Sequence, residues 1–234
     1  MDPTSLRMLL LPFLPSEELD DALLALVERH LDLLLRWNQR MNLTGLRTPE
    51  EIVTRHFGES LFAARQLLAR DATTTTFDFG SGAGFPGLPF KYWAPGLRLT
   101  LIEGHGKKAT FLKEVVRSSG LAGVTVLNER GEQVTERAEL VTMRAVEKFD
   151  SAVPIAAGLL AIGGRLAILI GEAQQERALS LLPAGTSESI ALPGSSQRIL
   201  LTWRRSDWAQ PAYLPPNVPR GTLSPGAPLA RQPL

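Results

Sequence analysis

The residues best suited to chemistry sit in one short stretch, Phe77-Asp78-Phe79-Gly80-Ser81-Gly82-Ala83-Gly84-Phe85-Pro86-Gly87. An apolar run precedes it and a helix-forming run follows. In that context a glycine loop lets bare backbone approach a bulky ligand. Elsewhere the inventory for catalysis is thin. The chain has no cysteine, which excludes disulfides, thiolate metal sites and cysteine nucleophiles. Its only histidines are His30, His56 and His105, too few and too scattered for a histidine metal cluster. The sequence therefore points to binding and positioning of a ligand more than to acid–base chemistry.

Two patterns overlap in the loop. Gly82-x-Gly84-x-x-Gly87 fits the dinucleotide fingerprint. Asp78-x-Gly80-x-Gly82-x-Gly84 fits the loop of S-adenosylmethionine-dependent methyltransferases. A carboxylate at Asp78, facing the ligand, would repel a pyrophosphate and favour a ligand carrying an ammonium and a sulfonium. That argument favours a methyl donor; a plainer role for Asp78 is to accept hydrogen bonds from loop amides. Glu103 ends the next apolar run, where an acid accepts hydrogen bonds from ribose hydroxyls in either cofactor class. Glu132 follows the third such run, where the adenine of a methyl donor lies. Arg144 follows the fourth, at the sheet edge where ligands bind, with a surface ion pair as its alternative role.

These residues need a scaffold, and hydrophobic periodicity supplies one. Strands are expected at 75–79, 97–103, 124–127, 140–143 and 165–170, with a further pair, read as antiparallel, at 187–191 and 199–203. Helices are expected at 88–93, 107–119, 151–161 and 172–182. Strand and helix alternating in this way imply an α/β fold with a doubly wound, mostly parallel sheet. Residues 1–71 read as a helical extension. Ser16 is its expected first cap, and Thr48-Pro49-Glu50-Glu51 reads as a capping box opening a later helix. Residues 72–206 form the sheet domain. Residues 207–234 hold seven of the 17 prolines and read as an extended or disordered tail.

Composition narrows the rest. Hydrophobic residues make up 44% and charged residues 21%, the profile of an ordinary globular chain. The most apolar stretch, 151–171, contains Pro154, Arg165 and four glycines and is a poor membrane span. No cleavable leader is evident, so a cytoplasmic protein is expected. With 25 basic and 24 acidic residues there is no global field for nucleic acid. Local clusters remain: residues 36–70 hold six arginines against three acids. Residues after 197 hold five arginines against one acid, with Trp203, Trp208 and Tyr213 interleaved. Arginine with aromatics suits phosphate and base contacts, although Trp203 also fits the core.

Asn42-Leu43-Thr44, Arg55-His56, the loop through Pro89, Lys107-Lys108, Phe111-Leu112, Met143-Arg144-Ala145 and Gly163-Gly164-Arg165 occur in one order. In that order they resemble the bacterial 16S ribosomal RNA guanine-N7 methyltransferases, also called glucose-inhibited division protein B. The resemblance covers roughly residues 20–205. It implies a class I methyltransferase fold with a helical N-terminal extension. It also implies S-adenosylmethionine as donor, and a guanine in the decoding-region loop of 16S rRNA, within the small subunit, as acceptor. Its donor-binding positions fall on Gly80, Phe85, Glu103, Gly131, Glu132 and Arg144, beside Asp78, Gly82 and Gly84 of the loop. Guanine N7 carries a lone pair and no proton, so such a reaction needs no general base, and positioning dominates.

The sequence departs from the family pattern at Ile170-Gly171, where a lysine precedes the glycine, and at Ile102-Glu103-Gly104, where Glu replaces Asp. Met143 stands where the family has serine. Candidate RNA contacts are Arg40, Arg47 and Arg55, then Arg204 and Arg205, and the protein is expected to act as a monomer. Three rival readings remain open at this point: a methyltransferase with another acceptor, a non-catalytic donor- or RNA-binding module, and a nucleotide-dependent oxidoreductase.

Overall fold

A computed structural model describes residues 1–146 and 148–206. The N-terminal part is helical: α1 (Pro3–Leu10), α2 (Asp21–Asn38), α3 (Pro49–Ile52) and α4 (Glu59–Leu67), with a π-helical turn, Val53–Gly58, between the last two. The capping box forms as expected: the Glu51 amide donates to Thr48 Oγ1, and the Thr48 amide donates to Glu51 Oε2. The first cap differs from expectation. Ser16 opens only a short 3₁₀ turn, and α2 starts later, where Asp20 accepts from the Leu23 amide at 2.8 Å. A carboxylate so placed satisfies an orphan N–H and suits the helix dipole as well.

The remainder runs β1 (Thr75–Phe79), α5 (Gly87–Trp93), β2 (Arg98–Ile102), α6 (Gly106–Ser118), β3 (Val124–Leu127) and β4 (Ala138–Arg144). It continues through α7 (Phe149–Gly158), β5 (Leu160–Gly171), α8 (Gln175–Ser180), β6 (Gly185–Ala191) and β7 (Arg198–Arg205). The strands form one sheet in the order β3-β2-β1-β4-β5-β7-β6. The first five strands are parallel, while β7 runs antiparallel to β5 and β6 antiparallel to β7. β5 starts earlier than its hydrophobic run suggests: Leu160 pairs with Ala138, and the register then shifts so that Arg165 pairs with Leu140. The expected tail at 207–234 lies outside the described residues.

Alternation of side chains divides the core. Phe77, Phe79, Val141, Met143, Leu166, Ile168, Leu201 and Trp203 pack on one sheet face with α7. On the other face, Leu99, Leu101, Leu140, Ala167 and Leu169 join Leu88 and Phe90 of α5 and Phe111 and Leu112 of α6. That same cluster continues without a break into Leu23, Val27, Leu31 and Leu34 of α2 and Ile52, Phe57 and Leu61 behind it. Polar ties reinforce the seam. Trp37 Nε1 donates to Glu114 at 2.9 Å, and the Arg70 guanidinium lies 4.4 Å over the Trp93 ring while donating to Asp20. Among the described residues, no helix is long and apolar enough to cross a membrane.

Candidate functional site

A cavity of about 600 Å³ opens at the carboxyl ends of β1 to β4, the edge where ligands bind in such sheets. Its wall includes Gly80, Gly82, Phe85, Glu103, Gly131, Glu132 and Arg144, so seven of the nine residues expected there do meet. Glu103, 7% exposed, accepts the Gly82 amide on Oε2 and the His105 amide on Oε1, both at 2.8 Å. Each carboxylate oxygen keeps a second lone pair for a hydroxyl. The N-terminal layer also reaches the cavity, through Leu43, Thr44, Gly45 and His56.

Asp78 and Gly84 do not line it. Asp78 is fully buried beneath the loop, so the expectation that its carboxylate faces the ligand is corrected. It is the register partner of Thr142, whose hydroxyl donates to Oδ1 at 2.7 Å, while Oδ2 has no partner among the described residues. Burial pushes its carboxyl up to about 6, against the Thr142 hydrogen bond, so it is no firm anion for choosing a ligand. Its backbone contribution is local: Ser81 Oγ donates to the Asp78 carbonyl at 2.9 Å. It also explains Gly87, because a Cβ there would lie 2.6 Å from Asp78 Cβ. Gly84 turns away from the cavity, toward Leu88 and His30.

At the other end of the cavity lies a cluster that spacing along the chain did not suggest. Glu59, 2% exposed, accepts a hydrogen bond from Arg198 at 2.6 Å and forms an ion pair with Arg144 at 3.2 Å, both through Oε2. Arg144 Nη1 is buried without a partner among the described residues, as is His56 Nδ1. His56 Nε2 meets Thr44 Oγ1 at 2.7 Å, and its ring stacks on Phe85 at 4.7 Å. Burial, then the charges of Arg144, Arg198 and Arg55, drive the His56 imidazole down to about 2. It is neutral at working pH and is not a poised base. Burial lowers Arg144 to about 10, with Glu59 holding it up, so the guanidinium stays charged.

The arginine expectations divide. Arg40, Arg47 and Arg55 are exposed, on the segments that carry Leu43, Thr44, Gly45 and His56 to the cavity wall. Arg204 and Arg205 lie at the far end of the sheet. β7 reverses direction, so Arg198 pairs with Gly171 at the carboxyl end of β5, while Arg204 and Arg205 follow Trp203, the partner of Leu166. The basic residue that this strand offers near the site is therefore Arg198.

Two histidines, His30 fully buried and His56 half-buried at the cavity wall, carry an acid limit on stability. Burial lowers His30 to about 4, against an ordinary value of 6.5. As pH falls through 6.5 the unfolded chain binds protons at His30 and His56 and the folded chain does not, so stability falls. Asp78 opposes this, because its raised value lets the folded chain take up a proton first, below about 6. The balance is a protein about 2–3 kcal/mol less stable at pH 5 than at pH 7. Urea denaturation at the two pH values measures it, and in His56→Gln the difference should shrink by about 2 kcal/mol. An unchanged difference in that variant contradicts neutral burial of His56.

Three observations fit an adenosyl ligand with a charged amino-acid end: an acid with free lone pairs just after β2, open space over Gly82, and at the end of β4 a buried guanidinium, paired with Glu59, whose Nη1 has no hydrogen-bond partner among the described residues. Comparison with known proteins agrees. The sequence profile of the rRNA small subunit methyltransferase G family matches residues 23–190. The ribosomal RNA small subunit methyltransferase G of Chloroflexus aggregans is 41% identical over 188 residues, 74% of this chain and 78% of its own length. Its counterpart from Stenotrophomonas maltophilia strain K279a is 38% identical over 207 residues, 86% of this chain and 95% of its own length. Among solved structures, the ribosomal protein L11 methylase of Lactobacillus delbrueckii subsp. bulgaricus is similar, with a TM-score of 0.53 at 13% identity, over 65% of this chain and 79% of that one. A predicted O-methyltransferase from Agrobacterium tumefaciens gives 0.52 at 20% identity, over 62% and 79%. These two likenesses establish the class I methyltransferase fold and nothing finer.

Proposed function

Since the chain belongs to the rRNA small subunit methyltransferase G family, we propose that its cavity holds S-adenosylmethionine and presents one guanine of 16S rRNA to it. The protein is an S-adenosylmethionine-dependent methyltransferase, and the family reaction is methylation of guanine N7 in 16S ribosomal RNA. The donor supplies an electrophilic methyl group on a positively charged sulfur. The carrying observation is that Glu103, the open backbone at Gly82 and Arg144, whose buried Nη1 has no partner among the described residues, line one cavity.

In this reading Glu103 accepts from the ribose, Gly131 and Glu132 border the base, and Gly80, Gly82 and Phe85 bound the space between. Arg144 offers a cation to the amino-acid end. Asp78 and Gly84 act from behind the wall, by shaping the loop. The acceptor side is formed by Thr44 and His56 with the exposed Arg40, Arg47 and Arg55 outside them. Guanine N7 needs no proton removed, which accords with a neutral His56 and a site that works by alignment. The decoding-region loop supplies an unpaired guanine, the kind of nucleotide that RNA-binding proteins can splay out. The acting species is read as a cytoplasmic monomer.

The test is methyl transfer from labelled S-adenosylmethionine to unmodified small ribosomal subunits, with the methylated position located by mass spectrometry. Transfer to guanine N7 of 16S rRNA is expected, with little to free guanosine. Equal turnover on free guanosine, or label on another ring position, overturns the reading. The basic flank makes a second prediction. Alanine at Arg40, Arg47 and Arg55 together should weaken rRNA binding and flatten its log–log salt slope by about 0.7–0.9 per lost phosphate contact. Donor affinity should be unchanged. Alanine at Arg204 and Arg205, at the far end of the sheet, should leave the slope alone; a loss there equal to that of the triple variant would relocate the RNA face.

A further inference from the structure

His30 belongs to the middle of α2, in the N-terminal layer, yet its imidazole ends on the glycine loop. It is fully buried, with Nε2 2.9 Å from the Ala83 carbonyl oxygen and Nδ1 3.0 Å from the Tyr92 hydroxyl. A carbonyl oxygen only accepts, so Nε2 carries the ring proton, and Nδ1 is left to accept from the Tyr92 O–H. The relay thus has one polarity: Tyr92 O–H to Nδ1, then Nε2–H to Ala83. The same ring lies parallel to Phe85, 5.0 Å between centroids at 8°. A Cβ on Gly84 would come 3.2 Å from His30 Cε1. Three consecutive loop residues therefore rest on one imidazole, and two of them, Ala83 and Phe85, line the cavity.

The loop's other backbone ties run to the end of β2 or within the loop: the Gly80 and Ser81 amides donate to the Ile102 carbonyl, and the Gly82 amide to Glu103. The Gly84 and Phe85 amides both donate to the Ser81 carbonyl, and Ser81 Oγ turns back to Asp78. The Ala83 carbonyl is where a helix from outside the sheet takes hold. We propose that His30 is a positioning residue for the methyl donor: its Nε2–H fixes the Ala83 peptide, and so sets the loop in the form that receives S-adenosylmethionine. His30 reaches no donor atom itself, since Ala83 and Phe85 stand between it and the cavity. Donor affinity is then partly a property of the N-terminal layer. The proposal rests on the reading of the cavity as the donor site.

Glutamine and asparagine separate the two ring nitrogens. His30→Gln can place an amide N–H where Nε2–H was and so keep the bond to Ala83. His30→Asn reaches only as far as Nδ1, keeping an acceptor for Tyr92 and leaving the Ala83 carbonyl unpaired. Both remove the ring from Phe85, so a purely structural role would affect donor binding equally. Calorimetric titration with S-adenosylmethionine should give a Kd for His30→Gln within about threefold of the parent, and for His30→Asn at least about tenfold weaker. Equal affinities in the two variants overturn the proposal. Nitrogen NMR of the unsubstituted protein is independent of whether either variant folds: the His30 ring should carry its proton on Nε2, and a ring protonated on Nδ1 overturns the proposal. If the parent binds no S-adenosylmethionine, it is the reading of the cavity that fails; if it binds and the variants agree, His30 alone fails.

Discussion

Replacing Gly82 with leucine should abolish S-adenosylmethionine binding and leave a folded protein. At this position φ is +54°, in the left-handed region, so any side chain costs about 1–2 kcal/mol of backbone strain. That cost is bearable for a chain of this size. The space is bearable too, because a Cβ would meet only the Gly80 carbonyl oxygen, at 3.8 Å. The rest of a leucine side chain has open space before it, in the cavity that Gly82 lines. It would stand beside the Glu103 oxygen that the Gly82 amide already engages at 2.8 Å. A ligand and that side chain cannot share the volume. Calorimetry should show no binding at donor concentrations about a hundredfold above the parent Kd. Circular dichroism should be unchanged, with stability down by no more than about 2 kcal/mol. Binding within threefold of the parent would remove the glycine loop from the donor site.

The second large effect belongs to Glu59→Ala, and it is one of stability as well as activity. Among the described residues, Glu59 is the single acid paired with both the Arg144 and Arg198 guanidiniums, and the Glu59 and Arg144 side chains are 3% and 5% exposed. Removing it leaves two neighbouring cations, one of them desolvated, with nothing to balance them. Breaking a buried pair from one side costs about 3–5 kcal/mol, because the remaining charge stays buried. The urea midpoint should fall accordingly. Glu59→Gln, which keeps an acceptor oxygen without the charge, should recover part of the loss. A loss under about 1 kcal/mol in the alanine variant would mean that water already reaches the pair. Arg144 loses its anchor at the cavity wall, so methyl transfer should fall even at temperatures where the variant stays folded.

The sequence made much of this site legible, in proportion to how local the signal is. The glycine loop, the strand before it and the helix after it are contiguous, and Glu103 and Arg144 end strands whose apolar runs are plain. Each of those residues reaches the cavity edge because parallel strands all point their carboxyl ends the same way. Arg204 and Arg205 escaped that logic, since the seventh strand is antiparallel and carries its last residues away from the site. Glu59 and Arg198 are 139 positions apart, and no periodicity links them. Asp78 shows a different limit. The pattern identifies the residue but not which sheet face takes its side chain; here that is the face toward α5, where Thr142 and Gly87 enclose it. His30 reads as one more buried position on a helical stripe, and only the fold brings the loop to it.

The unbroken apolar seam between the first 71 residues and the sheet bears on how such a protein can change over evolutionary time. Leu31, Phe57, Leu88, Phe90 and Phe111 belong to one packed cluster drawn from both sides of that boundary. A chimera that joined a relative's N-terminal helices to this chain's sheet would inherit mismatched halves of the seam, with overlaps in some places and voids in others. Close-packed interiors tolerate neither well. The two segments are therefore bound to drift as one inheritance, and exchange by recombination near residue 71 should succeed only between parents whose seam residues already agree in volume.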